Sequence, residues 1–144
     1  MDRLLALYQE LQDNGVRFFT WELGGDPAVV MELGGEYAVF MDFDAIGSRA
    51  QELVLLAHEG GHARTGATHQ VSSPYDLIEK HEYKAWKWAI LRLLPRDALL
   101  RAFREGCREP WELAERFDVT EGFVRLALTW YRQGNLDVKG CLGA

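Results

Sequence analysis

The chain has 144 residues, 48% of them hydrophobic and 26% charged, enough apolar material for one packed core and too much for a disordered segment. Its net charge of −6 is gathered at one end: residues 1–50 carry nine acids against three bases, whereas 51–100 balance six against six and 101–144 seven against seven. An acidic N-terminal half excludes a nucleic-acid surface there, because phosphate contacts need clustered lysine and arginine.

Met1-Asp2-Arg3 leads into an amphipathic stretch rather than a basic leader, and no apolar run approaches the length of a membrane span. Cys107 and Cys141 stand far apart in dissimilar surroundings, which fits reduced thiols and a cytoplasmic location. Leu4, Leu5, Leu7, Tyr8 and Leu11 recur at helical spacing and stop before Asn14-Gly15, predicting a first helix. Three β-like runs follow: Val16 to Trp21, Ala28 to Leu33 and Glu36 to Met41. Gly34-Gly35 between the last two is a hairpin signal, since a two-residue primed turn needs positive φ. The expectation is a small antiparallel sheet in which Glu36 to Met41 is the edge strand, open to pairing with an extended peptide.

A second helix begins near Ser48 as its N-cap, runs through Leu53, Val54, Leu55, Leu56 and Ala57, and fades at Gly66. A polar loop, Ala67 to Asp76, contains Ser72-Ser73-Pro74 and leads into a helix from about Leu77 to Leu94, ended by Pro95. Short helices fill Asp97 to Glu105, Trp111 to Phe117 and Glu121 to Arg132. The whole reads as a single α+β domain over 1–144, with 95–144 a helical C-terminal subregion.

The second helix ends in His58-Glu59-Gly60-Gly61-His62, an H-E-x-x-H motif. Residues four apart share a helix face, so both imidazoles can hold one Zn²⁺ while the glutamate serves as a general base. The bland alternative makes the histidines satisfied core residues and pairs Glu59 with Arg64. Against it, all four histidines fall between 58 and 81, and buried imidazoles without partners are costly. Gly60 and Gly61 each cost the helix about 1 kcal/mol relative to alanine, so something should approach its backbone there.

A catalytic zinc site needs a third protein ligand. His69 lies seven residues after His62, a spacing similar to that of metzincins but one residue too long, and no methionine follows the motif. Its rival is Glu82, delivered from the next helix in the manner of gluzincins. Glu79 is one turn earlier, and His81 lies about 100° round that helix from Glu82.

At these residues the chain resembles the ImmA/IrrE-type metallopeptidases, cytosolic zinc proteins of mobile elements and bacterial stress responses. The resemblance runs from about Tyr37 to Arg132: an apolar strand, Leu53 through His62, Thr65-Gly66-Ala67-Thr68-His69, His81-Glu82-Tyr83-Lys84-Ala85, Trp88-Ala89 and Leu93-Leu94-Pro95. It implies a zincin-like core, with His58, His62 and Glu82 as metal ligands and Glu59 as general base. It also implies peptide-bond hydrolysis, with a repressor or other transcriptional regulator as substrate. Gly60 departs from the family pattern, which often has a bulky aliphatic there. His69, Tyr75 and Tyr83 are the candidate donors to a developing oxyanion.

Trp111 to Phe117, Asp118-Val119-Thr120 and Glu121 onward read like a helix-turn-helix. Four acids against three arginines between Trp111 and Arg132 give no phosphate footprint, so a helical lid packing Leu113, Phe117, Val124 and Leu128 is expected in place of DNA contact. Trp86, Trp88, Trp111 and Trp130 are expected in the core. Glu105-Gly106-Cys107 is similar to the cysteine segment of peptide deformylases, but there that segment precedes the metal helix.

Overall fold

A computed structural model describes residues 2–68, 74–134 and 136. Its described chain is α+β, with six α-helices and three strands, and divides into two compact units, Met1–Ala89 and Ile90–Ala144.

The first unit opens with helix α1, Arg3–Asp13. The Asp2 side chain caps it by accepting the Leu5 amide, and Leu4, Leu7 and Leu11 form its buried stripe. Strands β1 (Val16–Thr20), β2 (Ala28–Leu33) and β3 (Glu36–Met41) follow. The hairpin between β2 and β3 is antiparallel, turning through Gly34 and Gly35 at φ +62° and +85°. β1, however, pairs with β3 in parallel, Val16 opposite Tyr37 and Thr20 opposite Met41. The sheet is therefore mixed, not antiparallel, with order β1-β3-β2.

That order also corrects the edge strand. Glu36–Met41 is central and paired on both sides, and Ala38 through Met41 are all buried. A continuous apolar run suits a strand covered on both faces. The edges are β1 and β2, both largely exposed.

A 3₁₀ turn over Phe43–Ala45 leads to α2, Arg49–Thr65, the helix that carries the motif. Ser48 caps its start by accepting the Gln51 amide at 3.1 Å, and Gly66 ends it in the left-handed region at φ +68°. Tyr8 of α1 donates its hydroxyl to Glu52 of α2 at 2.7 Å. The paired glycines of α2 have a packing reason. A Cβ on Gly60 would stand 2.8 Å from Cδ1 of Leu11, and one on Gly61 would stand 2.5 Å from the carbonyl oxygen of Ala85. Leu11 thus fills the space where a bulkier residue 60 would lie, and Gly61 admits the backbone of α3, Tyr75–Leu93. Close helix approach at two points offsets the propensity lost to two glycines.

The second unit contains α4 (Arg96–Arg104), α5 (Pro110–Phe117) and α6 (Glu121–Gln133). A capping box joins Glu109 and Glu112 at the start of α5, and Thr120 caps α6 by accepting the Phe123 amide. Leu99, Leu113 and Val124 are fully buried, and Tyr131 donates its hydroxyl to the Leu94 carbonyl at 2.8 Å. Leu113 and Val124 are core as expected, while Phe117 and Leu128 are half-buried. Trp111 is 54% exposed and so is not core; it sits in the first turn of α5, beside Pro110 and the exposed cap. Among the described residues no helix is long and apolar enough to cross a membrane. Cys141 lies outside the described residues.

Candidate metal centre

The site is built on the last two turns of α2. His58 and His62 occupy the same face, one turn apart, with ring centroids 4.8 Å from each other. The notch at Gly61 draws α3 against this face, and Glu82 of α3 reaches both rings. Its Oε2 lies 2.8 Å from Nε2 of His58, and its Oε1 lies 3.0 Å from Nε2 of His62. His58, His62 and Glu82 each offer one ligand atom, all within 4.8 Å of one another, and are close enough to hold a metal ion.

The chemistry of the donors fits a divalent ion of borderline softness: two imidazole nitrogens and a carboxylate oxygen. The surroundings fit as well. Nδ1 of His62 donates to the Ala67 carbonyl at 2.6 Å, so that Nε2, the nitrogen that faces Glu82, is the one that would present its lone pair to a metal ion. A metal-binding histidine is held in this way in most metalloproteins. His58 stacks on Trp86, centroids 4.1 Å apart and planes within 17°, so its ring plane is fixed too. Trp86 was expected in the core; it is half-buried, with His58 against its ring.

Without metal the three side chains form a hydrogen-bonded ion pair. Burial opposes charge on His58, but its hydrogen bonds with Glu59 and Glu82 outweigh that and raise its pKa to about 9. Hydrogen bonds from His58 and His62 hold the Glu82 carboxyl far below the usual carboxylate range.

Glu59 is buried, its Oε1 3.4 Å from Nδ1 of His58, rather than paired with Arg64, which is exposed. A cavity of about 410 Å³ is lined by His58, Glu59, His62 and Glu82 on one side and by Ala28, Val29 and Val30 of β2 on the other. Edge strand β2, not the central β3, therefore borders the site. Thr68 also lines the cavity and donates to Glu32 at 3.1 Å.

Of the other candidates, His69 lies outside the described residues. Glu79 and His81 are not among the three converging ligands. Tyr75 is 75% exposed and bonds Glu79, which raises its pKa, and neither it nor Tyr83 lines the cavity. Three partners of the site escaped the sequence: the Ala67 carbonyl, the Trp86 ring and the β2 edge. Only Trp86 left a trace, being four residues after Glu82 and so on the same face of α3.

Comparison with protein families, curated proteins and solved structures gives no match.

Proposed function

We propose that the protein is a zinc-dependent peptidase of the ImmA/IrrE kind, hydrolysing a peptide bond in another protein. The observation that carries this reading is the convergence of His58, His62 and Glu82 in one cavity with the buried carboxylate of Glu59, beneath an open strand edge. Two histidines and a glutamate are a ligand set for catalytic zinc. Bound there, zinc would supply Lewis-acid polarisation of a carbonyl and acidify a water molecule.

The chain's own residues supply the rest. β2, an edge strand among the described residues, offers its outer side to an extended peptide, which adds to the sheet as a further strand and so lies across the cavity. Glu59 accepts a proton from the attacking water and passes it to the leaving amine. The Ala67 carbonyl and the Trp86 ring keep the two imidazoles oriented. A transcriptional repressor as substrate and a cytoplasmic setting follow from the resemblance and composition set out above.

The alternative is a non-catalytic zinc-binding or DNA-binding regulator acting through its C-terminal helices. The helix-turn-helix-like pair α5 and α6 favours it in shape; four acids against three arginines over Trp111–Arg132 oppose it in charge. Co-expression with candidate repressors, with and without Glu59→Gln, is the deciding experiment. Repressor cleavage by the wild-type chain and none by the variant supports a peptidase; equal function of both would leave binding as the activity.

A further inference from the structure

At the C-terminal end of β1, on the edge of the sheet opposite β2, two adjacent cavities share Thr20 and Phe43 as a common wall. One, about 240 Å³, is mainly apolar, bounded by Tyr8, Phe18, Phe19 and Met41. The other, about 250 Å³, is bounded by Trp21 together with Glu22, Asp42 and Asp44.

Trp21, Phe43 and Phe19 are 60%, 45% and 44% exposed. Large apolar side chains grouped in water mark surfaces that a partner covers. Charge says what kind of partner. Asp42 is committed to its own loop, accepting the amides of Leu23 and Asp44 at 3.1 and 3.2 Å. Glu22 and Asp44 are exposed carboxylates with no cationic partner among the described residues. No cation lines either cavity. Residues 1–50 contain only three arginines; Arg17 pairs with Glu36 and Arg49 with Asp2. An aromatic face flanked by carboxylates suits a guanidinium or ammonium group. A second copy of this chain would bring the same acidic rim against itself, which is unfavourable.

We propose that this end of β1 is a docking site for a protein segment that presents an apolar side chain beside an arginine or lysine. The apolar side chain enters the cavity walled by Tyr8 and Met41, and the cation lies against Trp21 between Glu22 and Asp44. The site is separate from the metal cavity, with which it shares no lining residue, and it does not depend on the peptidase reading.

The probe is a set of three labelled peptides, Gly-Ser-Leu-Arg-Ser-Gly, Gly-Ser-Leu-Glu-Ser-Gly and Gly-Ser-Ser-Arg-Ser-Gly, titrated by fluorescence anisotropy against the full chain. The Leu-Arg peptide should bind at least about tenfold more tightly than either control, and more weakly as salt is raised. Its amide shift changes should centre on Thr20 to Glu22 and Phe43 to Asp44. The double variant Glu22→Lys/Asp44→Lys should lose this preference while zinc titration and circular dichroism stay as in wild type. Trp21→Ser should weaken binding too. Trp21 packs 4.6 Å from Phe40, so if Trp21→Ser unfolds, the exposed double variant decides. Equal binding of the Leu-Arg and Leu-Glu peptides, binding that survives the double variant, or shift changes elsewhere would overturn the proposal. So would a dimer that Trp21→Ser dissolves, since the occupant would then be a second copy.

Discussion

Gly61 lies so close to Ala85 that a single added methyl group would fall 2.5 Å from the Ala85 carbonyl oxygen and 3.0 Å from its Cα. The obstacle is backbone, which cannot swing aside, so the separation of α2 from α3 at this point is set by the absence of a side chain. The reach of Glu82 to His58 and His62 is set with it.

Gly61→Ala should therefore push the helices apart. The methyl group improves helix propensity by about 1 kcal/mol, but overpacking of this kind costs about 1–3 kcal/mol and should win against rigid backbone. The expected result is lower stability in urea together with weaker zinc binding. Gly60→Ala meets only the far end of the Leu11 side chain and should be the milder of the two. Equal zinc affinity in Gly61→Ala and wild type would show that the notch does not control the ligand geometry.

Glu82→Ala should abolish tight zinc binding, as should His58→Ala and His62→Ala, because each removes one of three converging ligands. Glu59→Gln should leave zinc bound and lower cleavage of a cognate substrate by about 10²–10⁴-fold. Metal analysis and a cleavage assay on the same preparations separate the two roles. Near wild-type zinc affinity in Glu82→Ala would overturn its assignment as the third ligand and reopen the choice among His69, Glu79 and His81.

Trp86→Leu should weaken zinc binding without removing a ligand, because His58 loses the ring that fixes its plane. A loss within the roughly 10–100-fold range of orienting groups is expected. Competition with a chromophoric chelator measures it, and an unchanged affinity would reduce Trp86 to packing.

The metal-free protein should have a bounded window of pH stability. His58 has its pKa raised from 6.5 to about 9, so its contribution is fully present below pH 6.5 and is lost as pH rises through about 9. Glu82 has its pKa lowered from 4.5, so its contribution is present above pH 4.5 and is lost as pH falls toward the depressed value. The melting temperature of the metal-free chain should thus fall on both sides of pH 4.5–6.5. Zinc must displace the His58 proton, so binding near pH 7 should release about one proton. Calorimetry in buffers of different ionisation enthalpy reads this directly, and no buffer dependence would contradict it.

Local signals carried most of what the sequence made legible. Ser48 and Gly66 bounded α2 because capping is decided within a few residues, and Gly34-Gly35 placed the β2–β3 turn for the same reason. The i, i+4 histidines followed from helix geometry alone. The meeting of Glu82 with the two histidines was legible through its place on the next helix and through the family-like series around it. The position of β1 was not legible, since each of its residues pairs with one twenty-one positions on in β3, as Val16 does with Tyr37, and no short-range rule fixes that choice. That one missing relation displaced the edge strand from β2 to β3. The purpose of Gly60 and Gly61 was half legible: a close approach was expected, but Leu11 and Ala85 are distant in sequence and only tertiary packing brings them there.

The end of α2 and the state of His62 are one device. Gly66 turns the chain back in the left-handed region, so the Ala67 amide donates to the His62 carbonyl at 3.0 Å while the Ala67 carbonyl accepts from the His62 ring. The hydrogen bond that closes the helix and the one that selects the imidazole tautomer arise from the same residue. Unwinding the final turn would release both together, and the His62 ring would then lose the contact that fixes which nitrogen faces Glu82. Any grip of these side chains on a metal ion would in this way be tied to the integrity of about one helical turn, so a partner or cleavage event that loosens Gly66 and Ala67 would weaken it without touching His58, His62 or Glu82.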